Sequence, residues 1–188
     1  MERRRTYPLD AAPRAAERGG GEVTHRILAI DPGPTESAWV QYSLSSESFV
    51  SHGIRPNEEL RITLPLLLVE PLCDVVIEKV ECYGMSVGAE VFDTCVWTGR
   101  FVELATAAGA TRIVRMPRRD VKLHLCGSVR AKDANIRQRL IDMHGGKDAA
   151  IGKKAKPGPL WGIRSHLWAA LALAITYRDK HGEGASDA

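Results

Sequence analysis

The run Ile27-Leu28-Ala29-Ile30 is wholly apolar and stops abruptly at Asp31-Pro32-Gly33-Pro34. A short apolar run with β-branched residues, followed at once by a turn cluster, reads as a buried strand with a carboxylate at its C-terminal end. The pattern recurs at Asp74–Lys79, where Val75-Val76-Ile77 ends on Glu78. A strand with so apolar a centre belongs inside a sheet whose two faces are both covered. The chain is thereby constrained to a covered sheet whose inner strands carry acids at their ends.

The segments around these strands set the fold class. Ala38–Ser43 and Phe49–Ile54 read as second and third strands joined by a Ser-rich turn, so the first three strands form an antiparallel meander. Asn57 is placed as the cap of a helix with Glu58 and Glu59 in its first turn and Leu60, Leu64, Leu67 and Leu68 on its apolar face. Pro65 inside that helix predicts a break or kink. A loop with Gly84 and Gly88 follows the Asp74–Lys79 strand, then a helix over about 89–108 and a fifth strand at Arg112–Arg115. Helices over Arg119–Cys126 and Lys132–His144 come next, then a loop over Lys147–Trp161 rich in Gly and Pro. Ser165 is placed as the cap of a last helix that runs to about Arg178. A meander followed by alternating helices and strands is an α/β arrangement, a mixed five-stranded sheet flanked by helices.

A length of 188 residues suits one domain, placed at 25–181. Residues 1–24 mix Arg, Pro, Ala and a Gly19-Gly20-Gly21 run without apolar periodicity, and read as a flexible tail; residues 182–188 read as a frayed end. No apolar run is long enough to span a bilayer, and no apolar core follows the N-terminal arginines, which excludes a membrane span and a secretory signal as readings. Cys73, Cys82, Cys95 and Cys126 form no C-x-x-C pair and have largely apolar neighbours, so they are expected to be buried, reduced thiols in a cytoplasmic protein.

The formal charge of +3 says little, but its distribution says more. Arg112, Arg115, Arg118, Arg119, Lys122, Arg130, Lys132, Arg137 and Arg139 crowd one stretch, and Lys147, Lys153, Lys154 and Lys156 the next. Such a region can hold nucleic-acid phosphates; the alternative is a solvated helix face and a solvated loop. Trp161, beside the final helix, reads as a hydrophobe anchoring its loop or as a DNA contact, and Trp97 and Trp168 read as core.

Three residues are candidates for chemistry. Asp31, projecting from a rigid strand end, suits a metal ligand, although Asp-Pro-Gly also favours a turn on its own. Glu78, ending an apolar strand, needs a partner if buried: a metal, Lys79 or an arginine. His166, where the last helix opens, would be kept neutral by the helix N-terminus and so able to ligate; the alternative is a structural histidine. Together, two acids on neighbouring parallel strands and a ligand on a helix packed across them can surround two divalent ions and hydrolyse a phosphodiester.

The ordered motifs resemble those of the RuvC family. Ile27-Leu28-Ala29-Ile30-Asp31-Pro32-Gly33 is similar to its opening and Val76-Ile77-Glu78-Lys79-Val80 to its second acidic motif. Arg119-Asp120-Val121-Lys122 through Gly127, then Ala131-Lys132, resembles its lysine-bearing DNA-contact region, and His166 through Ala174 resembles its last catalytic helix. The resemblance spans about residues 26–178. It implies a ribonuclease H-like fold and a structure-selective endonuclease with two Mg²⁺ or Mn²⁺ ions. Such an enzyme would be a homodimer cutting Holliday junctions or other branched DNA to 5′-phosphate and 3′-hydroxyl ends. Asp31, Glu78 and His166 would be catalytic and metal-holding. Arg118, Arg119, Lys122, Lys132, Tyr83, Lys153 and Lys154 would meet DNA.

Two positions depart from the family pattern. The family carries an Asp three residues after the His166 position, and here that residue is Ala169. Residues three apart share a helix face, so one ligand is missing from it. Family members often place an aromatic at the position of Glu81, where the nearest aromatic here is Tyr83. The alternative function is therefore a branched-DNA-binding protein of weak or no activity. A phosphotransferase or ATPase is a third reading, disfavoured by the length and by the absence of a P-loop motif.

Overall fold

The structure, a computed structural model, describes residues 25–69, 72–82, 84 and 86–181. The expectations for 1–24, 182–188 and Tyr83 lie outside the described residues. Strands β1 (Arg26–Asp31), β2 (Glu36–Ser43), β3 (Ser48–Pro56), β4 (Cys73–Lys79) and β5 (Arg112–Pro117) form one sheet in the order β3-β2-β1-β4-β5. β1–β2 and β2–β3 are antiparallel, while β1–β4 and β4–β5 are parallel. This is the mixed five-stranded sheet the sequence predicts.

Two layers of helix cover it. On one face lie α1 (Asn57–Leu67) and α2 (Ala89–Ala107), whose Leu60, Leu64, Phe101 and Ala105 pack against Leu28, Ile30, Val75 and Ile77. On the other lie α6 (Leu167–His181), then α3 (Arg118–Cys126) and α4 (Asp133–Met143), packed with Ile27, Ala29 and Val76. Alternate residues of a strand point to opposite faces, so each inner strand divides its apolar side chains between the two cores. α6 is buried on nearly every side from Ala170 to Tyr177, because the sheet lies beneath it and α3 and α4 flank it. Its alanines let the backbone approach the sheet closely.

Several local expectations are corrected. Asn57 does not cap α1: Pro56 holds that position, and the Asn57 side chain is buried. α1 does not break at Pro65 but runs on to Leu67, two residues past it. Ser165 does not cap α6; its backbone lies in the left-handed region with φ of 45°, and Trp168 N–H bonds its carbonyl instead. The segment 147–161 is not plain loop: it forms a short helix, α5 (Lys147–Ala150), and a two-strand hairpin, β6 (Gly152–Lys153) with β7 (Lys156–Pro157). Leu160 and Ile163 anchor the following turn, and Trp161 is exposed rather than an anchor. Of the four cysteines only Cys73 is buried; Cys126 is half-buried, and Cys82 and Cys95 are exposed, Cys95 because α2 turns that face outward. Trp97 and Trp168 are only partly buried, each packed against the edge of a core. No helix among the described residues is long and apolar enough to cross a membrane.

Candidate active site

The register of the parallel pair creates the site. Ile30 of β1 pairs with Ile77 of β4, so Asp31 and Glu78, one residue further on, stand side by side where the two strands end. Strand alternation then sends both side chains to the α6 face, with Ile27, Ala29 and Val76. α6 begins over this edge, and His166, just before its first turn, places Nδ1 3.2 Å from Asp31 Oδ2. The structure thus brings together the three residues singled out from sequence.

Two features hold Asp31 in place. The turn after it is locked by a ring of hydrogen bonds: Gly33 N–H donates to Ser37 Oγ at 3.2 Å, Ser37 Oγ–H donates to Asn57 Oδ1 at 2.6 Å, and Asn57 Nδ2–H donates to the Gly33 carbonyl at 2.9 Å. Ser37 and Asn57 are each 1% exposed, so the bond between them is shielded from solvent, while the two bonds to Gly33 are part-buried. Gly33 is also required by space, since a Cβ there would lie 2.4 Å from the Glu36 carbonyl oxygen. Sequence reasoning missed this ring; the turn residues Ser and Asn were visible, but their separation of 20 residues hid the pairing.

The electrostatics mark a site that lacks positive charge. Burial, and then the neighbouring Glu78 carboxylate, push the Asp31 carboxyl up to about 7; His166 and Arg118 pull the other way without cancelling this. Glu78 is also raised, again by burial first, against the opposing pull of Arg118. Two half-buried carboxylates side by side, both held above their usual range, make a place that would favour a cation.

Part of that charge is supplied by Arg118. β5 ends at Pro117 opposite Lys79 of β4, and Arg118, first residue of α3, emerges beside Glu78. Its Nη1 donates to Glu78 Oε2 at 2.9 Å and its Nη2 to Asp133 Oδ1 at 2.8 Å. Asp133 opens α4, and its approach to Glu78 through Arg118 had no sequence signal.

The other basic candidates lie apart. Arg119 is within 3.7 Å of Glu81 and 3.4 Å of Asp120, so its charge is shared. Lys132 just precedes α4, and Lys153 and Lys154 occupy the β6–β7 hairpin; all three are exposed, and Lys122 on α3 is half-exposed. All are carried by elements on the α6 side of the sheet, and none has an ion pair within the described residues.

The donors at Asp31, Glu78 and His166 suit a hard divalent ion in kind, two carboxylates and one imidazole. As they stand, no three His, Cys, Asp or Glu side chains among the described residues lie close enough together to hold a metal, and Glu78 is engaged by Arg118. By donor chemistry the Asp31–Glu78 pair is where an ion would be held. It offers little for a second, since Ala169 presents no donor on the first turn of α6.

Neither a scan of family models nor a search of curated proteins finds a match. Solved structures do match. The RuvC structure from Thermus thermophilus is similar at 18% identity and a TM-score of 0.56, covering 82% of this chain and 94% of that one. The fold is that of RuvC. T. thermophilus RuvC in complex with Holliday junction substrate is similar at 18% identity and a TM-score of 0.58, over 84% of this chain and 95% of that one. The yeast mitochondrial Holliday junction resolvase is similar at 10% identity and a TM-score of 0.51, over 82% and 79%. The RuvC-like fold is thus shared along nearly the whole length of the T. thermophilus protein.

Proposed function

We propose that this chain is a metal-dependent endonuclease that cuts branched DNA, four-way junctions first, leaving 5′-phosphate and 3′-hydroxyl ends. The observation that carries the reading is the paired placement of Asp31 and Glu78 at the ends of β1 and β4, with His166 against Asp31, in a RuvC-like fold. T. thermophilus RuvC has been captured with a Holliday junction substrate, which supports branched DNA as the substrate class.

Asp31 and Glu78 would hold Mg²⁺ or Mn²⁺, with His166 as a third donor through Nδ1. The bound ion supplies Lewis-acid activation of water and of the phosphoryl oxygens. The protein's own groups do the rest. Arg118 moves from Glu78 to the scissile phosphate, carrying its charge with it. Lys122, Lys132, Lys153 and Lys154 position flanking phosphates. Symmetric cutting of a four-way junction requires two such sites, so the working unit is a homodimer. The host compartment is the cytoplasm, where free thiols persist.

The test is cleavage of a labelled four-way junction and of matched duplex in Mg²⁺, Mn²⁺ or EDTA, with the wild-type chain and Asp31→Asn. Junction cutting that requires both metal and Asp31 is expected. Cutting unaffected by Asp31→Asn overturns the proposal.

Ala169 favours a second reading, a junction-binding protein with little turnover. In that case the wild type binds the junction with steep salt dependence but does not cut, and Ala169→Asp raises cleavage about tenfold or more by restoring a carboxylate, on the scale of one transition-state charge interaction.

A further inference from the structure

Between the first turn of α6 and helices α4 and α5 lies an open cavity of about 520 Å³. That volume is within the range of small-ligand pockets and suits one nucleotide. Trp168, Arg137, Asp133, Gln138 and Lys147 line it, with Ile151 as apolar floor. None of the phosphodiester chemistry assigned to Asp31, Glu78 and His166 uses this space.

Its position ties it to the acidic pair. Trp168 follows His166 by two residues. Asp133, on the rim, shares Arg118 with Glu78 at 2.8 and 2.9 Å, so one guanidinium separates the cavity from the site. A nucleotide whose phosphate sits at Glu78 has its base within reach of this space.

The lining supplies the chemistry that bases use. Trp168 packs against the hydrophobic core, which fixes the indole as a platform. Over its ring lies the Arg137 guanidinium, 5.1 Å from the centroid, a flat cation occupying the place a flat base could take. Asp133 and Gln138 offer acceptors to base edges, and Arg137 and Lys147 offer donors to a phosphate.

We infer that this cavity holds one unpaired nucleobase beside the scissile phosphate, stacked on Trp168, with Arg137 released to pair with a phosphate of the same strand. The inference rests on the nuclease reading and adds a stacking subsite to it. A base within intact duplex has both faces covered by its neighbours, whereas a branch point offers bases with an exposed face. The subsite therefore discriminates branched DNA from duplex, which the acidic pair alone does not do.

The test places 2-aminopurine in turn at the three nucleotides nearest the branch of a four-way junction, bound to Asp31→Asn to prevent cutting. One position is expected to lose fluorescence on binding through stacking. Adding Trp168→Phe keeps this loss, while Trp168→Leu abolishes it and weakens junction binding about tenfold, the scale of one aromatic–base stack. Duplex binding changes less than twofold. Melting curves confirm that both variants fold, and the Phe variant preserves the test if Leu does not fold. Quenching unaltered in Trp168→Leu, or equal losses for junction and duplex, overturns the subsite. A wild-type chain that neither prefers nor cuts the junction overturns the nuclease reading instead, before Trp168 is tested.

Discussion

Arg118 binds Glu78 and Asp133 at once, through Nη1 at 2.9 Å and Nη2 at 2.8 Å. The guanidinium thus stands where a divalent ion would compete with it for Glu78. In the absence of DNA, Arg118→Gln is expected to tighten Mn²⁺ binding about tenfold, since removing a charge a few ångströms away in a partly screened site is worth roughly one to two kcal/mol. The same change should lower stability by about 1–3 kcal/mol by leaving the half-buried Glu78 without its donor. Titration by Mn²⁺ paramagnetic resonance reads the first effect and chemical denaturation the second. Weaker Mn²⁺ binding would mean that Arg118 holds Glu78 in a ligating position.

Asp31 makes metal-free stability depend on pH. Its carboxyl titrates near 3.8 when free and is pushed up to about 7 in the fold, chiefly by burial. Between those values the folded protein keeps a proton that the unfolded chain has released. The contribution of this group to stability therefore falls as pH rises from about 4 to about 7, and is flat on either side. In EDTA, Asp31→Asn should stabilise the protein at pH 7.5, by an amount on the order of 1–3 kcal/mol, and do so far less at pH 4.5. His52 and His181, both lowered by burial, oppose this trend, so the difference between wild type and variant is the quantity to measure. A difference independent of pH would contradict the assignment. Saturating Mg²⁺ should abolish it by pairing the ionised carboxylate.

The ring of Gly33, Ser37 and Asn57 fixes the turn after Asp31. Asn57→Ala removes a donor and an acceptor at a buried site, leaving Ser37 and the Gly33 carbonyl unpaired, and is expected to cost about 2–4 kcal/mol. Junction cleavage should fall further than the folded fraction does, because Asp31 loses its rigid turn. Gly33→Ala should be at least as damaging, since its Cβ would meet the Glu36 carbonyl at 2.4 Å. Thermal melts beside single-turnover assays separate the two effects; full activity at temperatures where Asn57→Ala remains folded would reduce the ring to a purely structural role.

The lysines on the α6 side give a prediction about salt. If Lys122, Lys132, Lys153 and Lys154 each meet a phosphate, each alanine replacement lowers the slope of log K against log salt by about 0.9 for duplex arms. Arg61, on α1 across the sheet and paired with Glu58 at 2.8 Å, serves as the control and should leave the slope unchanged. Binding measured between roughly 50 and 200 mM salt decides which lysines count. Equal slopes for the fourfold variant and the wild type would remove this surface from the DNA path.

Sequence alone determined the strands and their acidic ends. Ile27–Ile30 and Val75–Ile77 are apolar runs bounded by turn signals or charge, and a strand that short can be recognised from its own residues. Because both runs end on a carboxylate, Asp31 and Glu78 followed as candidates, and the apolar start of α6 brought His166 with them. The tertiary structure decided what those residues face. Asn57 looked like a cap because Asn caps helices locally, but packing of α1 against the β1–β2 turn draws its side chain inward to Gly33 and Ser37. Pairing of β5 with β4 delivers Arg118 to Glu78, which lies 40 positions away. Cys82 and Cys95, expected from sequence to be buried, are exposed, since burial depends on which face of an element is covered. Local patterns report a residue's own backbone preference; hydrogen-bond partners and exposure depend on segments that meet only after the chain has closed around its sheet.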